Sequence, residues 1–168
     1  MITDRTAQDV ADATTLKSRG APFTDEEAAK LERGTLTQST VNRIESKEAE
    51  IYAKWVDVLG YPAGGVIETK TWGGTEFYRA SDFARIANNA MALRNWFVVF
   101  ADTPLTVSTT SYTYENLNNI ERILSDLDEW ADGGISAIQR CGATTSGARN
   151  ILPLGRKTAE WQFSQREL

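Results

Sequence analysis

The stretch SYTYENLNNIERILSDLDEW, residues 111–130, carries two patterns at once. Its polar residues Asn118, Asn119 and Glu121 crowd together as a binding or catalytic site would. Its apolar residues Leu117, Ile120, Leu124 and Leu127, followed by Ala131, recur at steps of three and four, the spacing of one face of an α-helix. Two further segments of similar build decide which pattern governs.

Those segments are LTQSTVNRIESKEAEIYAKW from Leu36 and YRASDFARIANNAMALRNW from Tyr78. In every copy an apolar residue precedes an isoleucine by three positions: Val41 and Ile44, Phe83 and Ile86, Leu117 and Ile120. Seven residues on stands Ile51, Leu93 or Leu127, and then Trp55, Trp96 or Trp130. The chain has five tryptophans, so three at matched places mark a repeat. These twelve residues form the expected repeat core, on helices too short to stand alone in water, which must therefore pack on one another or on a partner. In the first copy Val41, Ile44, Ile51, Trp55 and Val58 share a side, while Lys47 and Glu48 interrupt it. In the second the stripe runs through Phe83, Ile86, Ala90, Leu93, Phe97 and Phe100. Thr37 and Thr113 are placed to cap first turns, and Ser81 is the expected cap of the second copy, with Asp82 just inside.

The flanking sequence predicts two short helices ahead of the repeat. TAQDVADATTLKSRG is stopped by Gly20, and FTDEEAAKLERG has Thr24 and Glu27 in capping-box spacing with Gly34 as its stop. VIETKTW, residues 66–72, sits between glycine pairs and suggests at most a short strand. ADTPLTVSTTS reads as an extended connector, and ADGG, residues 131–134, as the end of the third helix. Beyond it no helical period is sustained, and Ile151, Leu152, Leu154, Trp161 and Phe163 suit an extended arm that contacts a partner. The expected architecture is mainly α: an N-terminal helical segment over 1–34, a three-copy helix domain over 35–134, short strands in connectors, and an extended C-terminal arm over 135–168.

Composition narrows the function. With 23 acidic and 18 basic residues the net charge is -5, the wrong sign for a surface that displaces counterions from nucleic acid. The most apolar run, NWFVVFA at 95–101, is far short of the roughly 20 residues of a membrane span. MITDRTAQDV lacks the basic and apolar regions of a secretory signal, so synthesis in a cytoplasm is expected. Cys141 is the sole cysteine and there is no histidine, which leaves no internal disulfide, no zinc set, and neither Ser-His-Asp nor Cys-His chemistry. Asp126, Asp128 and Glu129 lie too close along one helix to flank a glycosidic bond and are expected to face water. Asn118, Asn119 and Glu121, with their counterparts Asn42, Arg43 and Glu45, are also expected on a solvated face, because the second copy replaces two of them by Ala84 and Ala87. GATTSGAR, residues 142–149, lacks the lysine of a phosphate-binding loop. Trp72 and Trp161 could stack on a sugar ring, but a loop tryptophan more often pins its loop to the core.

ITDRT at residues 2–6, the helix starts VNRIE and LNNIE, TKTW ahead of DFARIANNAMALRNWF, and ADTP before YTYENLNNIERILSDL follow one another in an order that resembles tail-region structural proteins of phages and prophages of Gram-positive bacteria. The likeness runs from about Ile2 to Gly134. It implies a non-catalytic virion component of a baseplate, tail tip or fibre attachment, with no cofactor and no metal. Its partners would be other virion structural proteins and copies of itself, with no nucleic acid and no membrane, and it would be made in the host bacterial cytoplasm. The alternative is a host-surface module of a tail fibre that binds cell-wall carbohydrate through Trp72.

Overall fold

The computed structural model describes residues 1–62, 64–74 and 78–144, the side chains of 138–144 excepted. The residues expected to contact a partner, Ile151, Leu152, Leu154, Trp161 and Phe163, lie outside the described residues. The chain is mainly helical, and no strand occurs among the described residues. Helices α1 (Ala7–Arg19) and α2 (Asp25–Gly34) form a hairpin. Helix α3 (Gln38–Ala53) runs into a π-helical turn, Lys54–Val58, and is followed by α4 (Ala80–Trp96) and α5 (Tyr114–Thr144). Helices α3, α4 and α5 pack against each other, whereas α1 and α2 pack chiefly on one another.

Capping chemistry places the starts. Thr6 and Thr24 each accept from the third helical N–H, and Asp9 and Glu27 reach back to the cap N–H at 2.7 and 3.0 Å. Thr37 and Thr113 accept from Thr40 and Asn116 N–H in the same way. The start of α4 differs from the expected Ser81 cap. The helix begins two residues earlier, at Ala80 with Arg79 at the cap position, because Asp82 accepts from the Arg79 N–H at 2.9 Å and so takes the reciprocal half of the box. The α1–α2 crossing requires a glycine at 34: a Cβ there would stand 2.0 Å from the Asp9 carbonyl oxygen.

Ten of the twelve repeat-core residues are buried together, from Val41, Ile44, Ile51 and Trp55 through Phe83, Ile86 and Leu93 to Leu117, Ile120 and Leu127. The other two are tryptophans. Trp96 is half-buried against the backbone of Gly64 and Gly65, and Trp130 is 40% exposed with the Phe100 ring tilted against it, centroids 5.5 Å apart. Both stand three residues beyond their aliphatic partner, Leu93 or Leu127, whereas Trp55 stands four beyond Ile51. The extra residue turns Trp55 inward, onto Phe97 at 5.0 Å and nearly parallel.

Two boundaries differ from expectation for readable reasons. The π-turn, closed by Leu59 N–H on the Lys54 carbonyl at 3.0 Å, widens the helix just after Trp55. Leu59 therefore faces the core, and Val58 is 58% exposed rather than on the apolar side. ADGG does not end α5. Neither Gly133 nor Gly134 takes the positive φ of a helix stop, and Gly134 lies against the Leu59 side chain, so the helix continues to Thr144. Residues 135–144 thus belong to α5, and the boundary placed at 135 falls inside a helix.

Candidate functional site

Of the polar residues at the helix starts, the two glutamates do not face water, and Asn42, Arg43, Asn118 and Asn119 are half-buried. Glu45 and Glu121, at matched places in α3 and α5, are 1% and 0% exposed, and Ala87 at the same place in α4 is also fully buried. The position is a core position in all three copies. What differs is whether a carboxyl there has something to hold.

On α5, Asn118 grips the backbone of Arg5 from both sides: its Oδ1 accepts the Arg5 N–H at 3.1 Å and its Nδ2 donates to the Arg5 carbonyl at 2.9 Å. One turn on, Glu121 accepts from Arg5 Nη2 at 2.6 Å and from the Ile2 N–H. On α3, Asn42 treats Trp72 identically, with Oδ1 on its N–H at 2.7 Å and Nδ2 on its carbonyl at 3.1 Å. Glu45 accepts from the Trp72 indole N–H at 2.8 Å and from the Lys70 N–H. An Asn-x-x-Glu pair at the fifth and eighth residues of a helix is therefore a clamp for one extended segment. The asparagine satisfies both backbone groups of one residue, and the glutamate takes that residue's side chain and an earlier N–H. Residues 69–72, where a short strand was admissible, are held by side chains instead of a ladder. Gln38 adds a third hand, donating to the Trp72 carbonyl at 2.6 Å.

The middle residues of the copies complete the charges. Arg43 of α3 donates to Glu121 at 3.1 Å and pairs with Glu32 of α2, and Arg85 of α4 forks onto Glu45 at 2.6 and 2.8 Å. Each glutamate is answered by the arginine of another copy. Where the copy has Ala87 in place of the acid, no third arginine is needed, and α5 carries Asn119.

Trp72 is 6% exposed, tilted against Tyr78 and capped by the Lys70 ammonium 3.9 Å from its ring. It pins its segment and offers no free face to a sugar. Asp126, expected in solvent, is 4% exposed: Thr103 donates to it at 2.5 Å and Arg122 at 2.7 Å. Asp128 is taken by Lys54 at 2.6 Å and Lys47 at 3.1 Å, and Glu129 is exposed. A cavity of about 440 Å³ separates the α1–α2 hairpin from the first turns of α4 and α5, with Val10, Leu36, Phe83, Tyr112 and Leu117 on its walls. These acids hold cations and backbone amides in fixed geometry, an arrangement that fastens segments together. No helix of the described residues is long and apolar enough to cross a membrane.

Sequence reasoning missed Arg5, Gln38 and Asn89, and assigned the clamps to solvent. The available signal was the identity of the Asn-x-x-Glu spacing in the two copies that each have an extended, charged or aromatic-ended segment, ITDR or TKTW, to hold. No protein family, curated protein or solved structure matches this chain.

Proposed function

We propose that the chain is a non-catalytic structural subunit of a phage or phage-derived tail assembly, joining neighbouring components of a baseplate, tail tip or fibre attachment. One observation supports this most. The segments that carry the resemblance, ITDRT with LNNIE and TKTW with VNRIE, are pairs that grip each other in the fold. Their buried acids are spent on holding Arg5, Trp72 and Lys70 in place, which is scaffold work. Partner contact then falls to the segment after α5, with Ile151, Leu152, Leu154, Trp161 and Phe163. Because α5 extends to Thr144, the informative deletion removes 145–168 and not 135–168. The shortened chain is expected to keep its helical circular dichroism and cooperative melting while failing to enter the particle. Normal incorporation would overturn the assignment of contact to that segment, and loss of folding would show that it serves the domain.

A further inference from the structure

Glu48 is a buried acid that neither clamp uses and that, unlike Asp126, has no cation bonded to it among the described residues. It lies one turn beyond Glu45 on α3, is fully buried, and faces Asn89, one turn beyond Arg85 on α4. The two rungs of this seam are unequal. The Glu45 rung has a guanidinium with two nitrogens on the acid, one of which also donates to the Glu68 carbonyl at 2.6 Å. The Glu48 rung has one amide group: Asn89 Nδ2 donates to Glu48 Oε2 at 2.8 Å and to the same Glu68 carbonyl at 2.8 Å. Glu48 Oε1 is buried with no hydrogen-bond partner. A single neutral donor, shared with a carbonyl, does not offset the removal of a carboxylate from water.

We propose that Glu48 is a proton-controlled lock on the segment that carries Trp72, closed while its carboxyl is protonated and opened when that proton passes to solvent. The charged groups that act on it are Glu45 of α3 and Arg85 of α4, and the polar one is Asn89. Lys70, on the clamped segment, is turned onto the Trp72 ring. A new negative charge at Glu48 competes with Glu45 for Arg85. Arg85 shares the Glu68 carbonyl with Asn89 and fixes the Glu45 carboxylate that accepts from the Lys70 N–H and the Trp72 indole, so drawing Arg85 away loosens residues 68–70 and the indole while Asn42 and Gln38 keep the Trp72 backbone. Burial pushes the Glu48 carboxyl well above its ordinary value; the Asn89 hydrogen bond opposes this, Glu45 adds to it, and Arg85 opposes it. The folded chain therefore binds this proton more tightly than the unfolded chain. The stability this gives is complete below the ordinary glutamate pKa and is lost as pH rises through the raised one.

Tryptophan emission of the full chain, followed from about pH 5 to about pH 9, where buried glutamates are known to titrate, tests the lock. The wild type is expected to show a pH-dependent shift that disappears in Trp72→Phe and in Glu48→Gln, the latter keeping its closed-state emission at the alkaline end. A shift that persists in Glu48→Gln, or a wild type without one, overturns the proposal. Infrared absorption of the wild type needs no variant to fold: a protonated carboxylic acid band at neutral pH is expected, and its absence would equally overturn the lock.

Discussion

At the scale of single residues, the fold rests on polar groups that are buried and almost completely answered. Arg5 and Glu121 have side chains 1% and 0% exposed and meet at 2.6 Å. Removing one partner of such a pair leaves the other charged and dry, a loss of about 3–5 kcal/mol. Arg43 stays beside Glu121 after Arg5 is removed, so Arg5→Met is expected near the low end, about 3 kcal/mol in urea unfolding. Glu121→Met, which leaves Arg5 with its Ile2 carbonyl and Asn118 alone, is expected to lose more. The double variant should cost clearly less than the sum, because no charge is then stranded. Additive losses would mean that the two side chains act independently and that the α5 clamp is held by Asn118 alone.

At the scale of elements, Gly34 and the repeat show what sequence discloses and what it hides. Gly34→Val is expected to separate α1 from α2, since even a Cβ would stand 2.5 Å from the Ala13 Cβ as well as 2.0 Å from the Asp9 carbonyl. The loss should be seen as faster hydrogen exchange in both helices with α3–α5 unchanged; equal loss throughout would show that the hairpin and the bundle are one cooperative unit. Helix existence was legible because caps and apolar spacing are local: Thr24 with Glu27, and Leu117 through Leu127, declare themselves within a few turns. The clamps were not, because the spacing of Asn118 and Glu121 is the same whether they meet water or Arg5, more than a hundred positions away in the chain. The substitution of Ala84 and Ala87 pointed the wrong way for a related reason. Alanine is as acceptable in a core as on a surface, and only the company of Arg43, Arg85 and Asn119 reveals that the acids were internal. The widened turn at Lys54–Val58 and the run of α5 through Gly133 and Gly134 depend on Leu59 packing, which no local rule contains.

At the scale of the whole molecule, the helices differ in what holds them most: α3, α4 and α5 share a large apolar core besides ion pairs such as Arg85 with Glu45 and Lys54 with Asp128, whereas the α1–α2 hairpin depends chiefly on carboxylates. Asp9 is lowered from 3.8 to about 2, first by its hydrogen bond from Arg33 and then by Thr6. Glu27 is lowered from 4.5 to about 2, first by Arg19 and then by the Thr24 backbone. Both carboxylates close capping boxes, so each serves a helix start and an ion pair together. A depressed carboxyl pKa stabilises the folded state fully above the unfolded value and loses that effect as pH falls through the folded one. The window here runs from about pH 4 down to about pH 2. Both acids act on the hairpin, whereas the α3–α5 core is built around Ile44, Ile86, Ile120, Leu124 and Leu127, whose burial does not titrate. Acidification through that window is therefore expected to release hydrogen-exchange protection in α1 and α2 first, while the amides of α3–α5 stay protected. Release in the reverse order, or of all helices together, would show that the bonds of Arg5 and Arg43 to Glu121 and Glu32 couple the hairpin to the bundle more strongly than its own carboxylates hold it together.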